Sequence, residues 1–252
     1  MANPFSTMYH SLDSILSILR KPENLAIHGV KELLQIYEHA KENKNKSETS
    51  GDSRRHPFIV LEGLDGSGKS TVGSKFAKKI NGKKWQTPPE SIRHLRSLTD
   101  ENRVLFSTYY SLGNYIAALE VQVALKDAPV VMDRYWHSTT AFGIAQAVQD
   151  SADLQEIPPR GDQVYCWPED LFKPDVCIFL DVDESVRLQR LSRRKEFTAQ
   201  EDLLKSSSEF RNNVISAYKN MSDPEVVFVN GNNSFETECE ELYDVVKPFL
   251  KV

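Results

Sequence analysis

The chain has 252 residues, 40% of them hydrophobic and 27% charged, with a formal net charge of −5. That length supports one sizeable core with something left over, and the mildly acidic balance excludes the basic footprint of a nucleic-acid binder. No apolar run approaches the roughly 18 residues that cross a bilayer, so no membrane span is expected.

Residues 1–40 carry two short helical patterns. Leu12, Ile15, Leu16 and Leu19 follow Ser11, and Val30, Leu33, Leu34 and Tyr37 recur at i, i+3, i+4 and i+7. Each makes one apolar stripe, too little for an independent core. The stripes are expected to pack on the main domain or to be left from a larger N-terminal one; an arm for a peptide or a membrane surface is the rival reading. Asp13 and Glu23 come early and no apolar segment follows a basic start, so no targeting segment is evident in this chain. "KENKNKSETSGDSRRH" (41–56) has no large apolar residue and reads as a solvated linker, or a helix end fraying into one.

From Pro57 onward strands and helices alternate. "FIVL", "PVVMD" (129–133), "VCIFLDV" (176–182) and "VVFVN" (226–230) are β-rich apolar runs of the kind buried on both faces of a parallel sheet, and "KKWQT" (83–87) is a fifth short strand. Val72, Phe76 and Ile80 mark one helix face, stopped by Asn81-Gly82, and further helical patterns cover roughly 101–126, 184–195, 201–221 and 235–250. The expected fold is α/β: a three-layer P-loop domain with a five-stranded parallel sheet over 57–252, behind a helical extension and linker over 1–56. Ligands of such sheets lie at the carboxyl ends of the strands. Cys166, Cys177 and Cys239 show no C-x-x-C spacing and read as reduced, packed thiols.

Gly63-Leu64-Asp65-Gly66-Ser67-Gly68-Lys69-Ser70 fits G-x-x-x-x-G-K-[ST] between a predicted strand and a predicted helix. Gly63, Gly66, Ser67, Gly68, Lys69, Ser70 and Thr71 would cradle ATP phosphates on backbone N–H groups at a helix N-terminus. Lys69 would reach the β/γ oxygens and Ser70 would hold Mg²⁺. No N/T-K-x-D element occurs to read guanine, which argues against a GTPase switch, and a motor ATPase normally needs a longer chain. The strand "VVM" ends in Asp133-Arg134-Tyr135: a carboxylate suited to holding the metal, followed by a fixed cation suited to a second phosphate. Arg187, Arg190, Arg193 and Arg194 follow the strand 176–182. At helical spacing 187, 190 and 194 share a face. That charge run is either a solvated face or a segment that closes over phosphates and excludes water, as phosphoryl transfer requires.

"LEGLDGSGKST", "VVMDRYWHSTTAF" and "KPDVCIFLDV" with its following arginines resemble the thymidylate kinase family of P-loop nucleoside monophosphate kinases, over roughly residues 57–250. The resemblance implies that Asp65 reaches the acceptor's sugar and phosphate, that Asp133 serves the metal, and that Arg134 serves the acceptor or transferring phosphate. Gly66 stands where some members carry a catalytic arginine, which implies that the lid supplies it from Arg190, Arg193 or Arg194; which of them acts stays open. Where the family reads its base with F-S-x-N-R-[WY], this chain has "YSLGNY" (110–115). Tyr110 would stack on the base, and Asn114 stands in place of the arginine; Phe106 offers an alternative stacking frame. An asparagine offers both donor and acceptor, so it suits a 4-amino or a 4-keto edge. "YYSLGNY", "DRYWHST" and "WPEDLFKPD" (167–175) look like the UMP/CMP kinase branch. That branch implies ATP as donor, CMP, UMP, dCMP and dUMP as acceptors, and a mitochondrial location; whether the chain forms a homodimer is left open by the sequence. Trp136, Phe142 and Trp167 are candidates for the acceptor pocket or for the core, and Arg96, less so Arg93, for the acceptor phosphate. The rivals are a true thymidylate kinase, a non-catalytic ATP-binding regulator with 1–56 as its arm, and a nucleoside kinase with Glu90 as base.

Overall fold

The computed structural model describes residues 5, 8–48, 55–151, 154, 156–192, 204 and 206–250. Its centre is a five-stranded, all-parallel sheet: β1 (Phe58–Glu62), β2 (Lys83–Gln86), β3 (Val130–Asp133), β4 (Val176–Asp181) and β5 (Val226–Asn230), ordered β2-β3-β1-β4-β5. Every residue of β1 and β3 is buried. This is why these strands read as unbroken apolar runs instead of alternating ones.

The helices are α1 (Leu12–Leu19), α2 (Pro22–Leu25), α3 (Val30–Glu48), α4 (Lys69–Lys79), α5 (Arg103–Ala124), α6 (Trp136–Asp150), α7 (Glu184–Leu191), α8 (Ser208–Asn220) and α9 (Phe235–Val246), with a 3₁₀ stretch over Glu90–Asp100. Alternate strand residues feed two cores. Ile59, Leu61, Val131 and Ile178 meet Val72 and Phe76 of α4 and Leu242 of α9. Phe58, Val60, Met132 and Phe179 face the other way, onto α5, α6 and α8. The expected three layers are therefore present.

Residues 8–48 join the second of these cores. Ile15 and Leu19 of α1 and Val30, Leu33 and Tyr37 of α3 are buried in it. Two polar contacts fix their position: the Leu12 N–H donates to Asp170 Oδ2 at 2.7 Å, and the Tyr115 hydroxyl donates to Asp170 Oδ1 at 2.6 Å. The polar run beginning at residue 41 is helical through Glu48, the helix-end alternative of the two expected, and extends α3 along a solvated face with a Glu42–Lys46 pair one turn apart. Two expectations need correcting. Helix α6 was not predicted at all; ten of its fifteen residues are buried, so it offers no apolar stripe against a polar face. Cys166 is exposed, whereas Cys177 and Cys239 are buried.

Candidate active site

The register of the central strands assembles the site. Leu61 pairs with Asp133, so the chain leaves β1 and β3 side by side, and the Arg134 N–H donates to Leu61 O at 3.0 Å. The loop after β1 turns through Gly63 (φ +144°), Gly66 (φ +88°) and Gly68 (φ +95°). A Cβ on Gly66 would lie 2.8 Å from Arg187 O, and one on Gly63 would lie 2.9 Å from Leu180 O. Left-handed backbone and absence of room together demand glycine. Gly68 caps α4, whose free N–H groups and dipole face the loop.

Lys69 is buried and folds back, donating to Gly63 O at 2.8 Å and Leu64 O at 2.9 Å. Burial, then the Arg134 charge, lowers its pKa to about 8. Anionic phosphate oxygens would favour the charged amine and draw it off those carbonyls. Ser70 donates its hydroxyl to Asp133 Oδ2 at 2.5 Å, joining the first turn of α4 to the end of β3. These are hard oxygen donors, and among the described residues no cluster of three His, Cys, Asp or Glu side chains could form an all-protein cage. Such a pair fits Mg²⁺, which takes its remaining ligands from phosphates and water.

Arg134 sits at φ +66°, a left-handed conformation uncommon for a bulky side chain. It donates to Asp65 Oδ1 at 2.6 Å and Ser138 Oγ at 2.8 Å, and its guanidinium lies 5.3 Å from the centre of the Phe142 ring. Burial opposes its charge, but Asp65 and the other nearby acidic groups outweigh this and raise its pKa. Glu62, which the sequence reading passed over, lies beneath. It is fully buried; Oε1 accepts from Tyr135 N at 2.9 Å and Ser138 N at 3.2 Å, and Oε2 accepts from the Tyr218 hydroxyl at 2.8 Å. It thus holds the start of α6 and the turn that carries Arg134. The signal for it was available: a glutamate closing an otherwise apolar buried strand must find partners.

A cavity of about 530 Å³ opens between α5, α6 and the segment after β2. Asp65, Arg134 and Arg96 stand among its lining residues, as do Phe106, Tyr110 and Phe142. Tyr110 and Phe106 are in contact, with ring centres 4.9 Å apart, so both stacking frames fall in one place. Burial raises the Tyr110 pKa, and a hydrogen bond with Arg96 opposes it. Further lining residues come from Thr139, Gln146 and Met8, the last contributed by the N-terminal segment.

Other candidates lie elsewhere. Asn114 is buried behind the cavity wall and donates Nδ2 to Thr139 Oγ1 at 3.0 Å. Trp136 and Trp167 pack against each other, 5.0 Å between centres, and against His137, in the core. Glu90 is exposed and pairs with Arg93 at 2.5 Å. Arg187 is turned inward onto Glu184 at 2.8 Å and Asp65 O at 3.0 Å, where it braces the P-loop from behind. Arg190 lies on the same loop, donating to Ser67 O at 2.8 Å and Gly231 O at 3.2 Å. Arg193 and Arg194 lie outside the described residues.

Residues 61–241 match the family described as Thymidylate kinase. The human protein "UMP-CMP kinase 2, mitochondrial" is 38% identical over 191 residues, which are 75% of this chain and 42% of that enzyme. The chain therefore spans less than half the length of that relative. A "Probable thymidylate kinase" of Methanococcus maripaludis is 27% identical over 178 residues, 68% of this chain and 84% of that protein. Among solved structures, the thymidylate kinase of Candida albicans shares the fold, with a TM-score of 0.57 at 20% identity over 78% of this chain and 93% of that one.

Proposed function

This chain belongs to the thymidylate kinase family, and on that premise we propose that it transfers the γ-phosphoryl group of ATP to pyrimidine nucleoside monophosphates: CMP, UMP, dCMP and dUMP. The observation that carries the reading is the Asp65–Arg134 pair, 2.6 Å apart, standing between the P-loop and an aromatic-lined cavity of about 530 Å³. A pure ATP binder needs no such second compartment.

Lys69 would leave the Gly63 and Leu64 carbonyls for the β/γ oxygens, while the backbone N–H groups from Gly66 to Thr71 hold the triphosphate. Ser70 and Asp133 would hold Mg²⁺, which when bound neutralises charge on the phosphate oxygens. Arg134 would turn one arm of its fork toward the acceptor phosphate, with Asp65 keeping the guanidinium aimed and reaching the sugar. Arg96 would meet the same phosphate from the other wall. Arg190, with Arg193 and Arg194, would supply further positive charge as the transferring group moves and would close the site to water. No general base is needed for so loose a transition state; position and charge carry the reaction. The relative's name supports a mitochondrial location. Residues 57–252 carry the P-loop, the Ser70–Asp133 pair and the arginines, and the N-terminal extension 1–56 adds Met8 to the cavity wall.

A true thymidylate kinase is the second reading, favoured by the family match and the archaeal relative. ADP release with Mg-ATP against CMP, UMP, dCMP, dUMP, dTMP, AMP and cytidine separates the two. Turnover of the cytosine and uracil monophosphates above dTMP supports the proposal. A dTMP preference replaces it with the second reading, and turnover of none of them refutes both.

A further inference from the structure

We propose that the Thr139 hydroxyl reads position 4 of the acceptor's pyrimidine ring, and that Asn114 behind it sets whether this hydroxyl donates or accepts. The inference rests on the kinase reading of the cavity. It starts from a polar group with an unmet need: Asn114 on α5 is 1% exposed and does not line the cavity, yet its Oδ1 is buried with no hydrogen-bond partner. Its Nδ2 reaches Thr139 Oγ1 at 3.0 Å, and that is the only hydrogen bond of the Thr139 side chain among the described residues. Thr139 does line the cavity, with Gly143 and Gln146 following on the same face of α6 at i+4 and i+7.

A hydroxyl has one hydrogen and two lone pairs. While Asn114 donates into one lone pair, the Thr139 hydrogen points elsewhere, and the open side is the cavity. In that state the hydroxyl donates, which suits the 4-keto oxygen of uracil. Turning the Asn114 amide over brings Oδ1 to Thr139; the hydroxyl then donates backwards and presents lone pairs forwards. That state suits the 4-amino group of cytosine. Carbonyl and amino ends of an amide have nearly the same size, so the turn repacks nothing. Each orientation leaves one buried amide group unpaired, so neither is strongly favoured by the protein alone. The pair is therefore a reader whose polarity reverses, and it accepts both bases. An arginine at position 114 could only donate.

The test measures kcat and KM for CMP and UMP at saturating Mg-ATP, in the full chain and in Thr139→Val, Thr139→Ser and Asn114→Asp, with melting curves to verify folding. Wild type is expected to use both acceptors. Thr139→Val should raise both KM values on the order of tenfold with a much smaller fall in kcat, and Thr139→Ser should restore them. Asn114→Asp, assayed at pH 8.5 where the carboxylate only accepts, should raise the CMP:UMP ratio of kcat/KM at least about fivefold. KM values for Thr139→Val within twofold of wild type would overturn the inference, as would an unchanged CMP:UMP ratio in a folded Asn114→Asp. If Asn114→Asp does not fold, the Val and Ser variants decide. A wild type that uses only one of the two bases removes the relay but leaves the kinase reading standing. One that phosphorylates no monophosphate removes both.

Discussion

Replacing Glu62 with glutamine separates its charge from its hydrogen bonds. The wild-type carboxyl accepts from two backbone N–H groups and the Tyr218 hydroxyl in a fully buried site. Burial, opposed by the Arg134 charge and the Tyr218 hydrogen bond, raises its pKa from 4.5 to about 7. Between those values the folded chain holds a proton that the unfolded chain has released. The stability this proton supplies is fully present below 4.5 and is lost as pH rises through 7, a change of about 3 kcal/mol. Glutamine is neutral at every pH. It can keep its oxygen under Tyr135 N and Ser138 N and donate its amide to the Tyr218 oxygen. In urea unfolding without nucleotide, Glu62→Gln should match wild type within about 1 kcal/mol at pH 5 and exceed it by about 3 kcal/mol at pH 8.5. Glu238, raised to about 7 chiefly by burial, titrates in the same window, so the quantity to read is the difference between the two curves. Parallel curves across that range would refute the reasoning. Glu62→Leu should lose about 2–5 kcal/mol at pH 5, since it strands two buried N–H groups, and its deficit against wild type should shrink by about 3 kcal/mol at pH 8.5, since leucine does not titrate either.

Arg134→Lys loses the fork that spans Asp65 and Ser138, and steady-state assays should show kcat down by about 10²–10³ with little change in melting temperature. Gly66→Ala forces a Cβ to within 2.8 Å of Arg187 O at φ +88°. It should abolish detectable ATP binding by calorimetry and cost about 1–3 kcal/mol in unfolding experiments. Met8 lines the cavity proposed to take the acceptor, with its Cγ 3.3 Å from where a Gly143 Cβ would lie. Met8→Ala should therefore raise the acceptor KM several-fold while leaving the ATP KM unchanged, and equal effects on both would place Met8 outside the acceptor site.

The five strands, the P-loop and the Asp133-Arg134 turn were legible because each is encoded in neighbouring residues. A strand buried on both faces must be apolar throughout, and a loop that turns through left-handed positions beside packed backbone must be glycine there. Helix α6 escaped because ten of its fifteen residues are buried, which leaves too narrow a polar face to set off the apolar one, and the end of α3 stayed open between helix and linker because a solvated helix and a linker share a composition. Side-chain roles that depend on distant partners were less accessible. Whether Arg187 faces solvent or braces Asp65 O, whether Trp136 lines a cavity or fills the core, and which residue stands in front of Asn114 are settled by the angles at which α5, α6 and α7 pack. Glu62 shows the division most clearly. The sequence by itself placed a carboxylate at the end of a buried strand; only the tertiary structure brought Tyr135, Ser138 and Tyr218 to it, because its partners lie 73, 76 and 156 residues away along the chain.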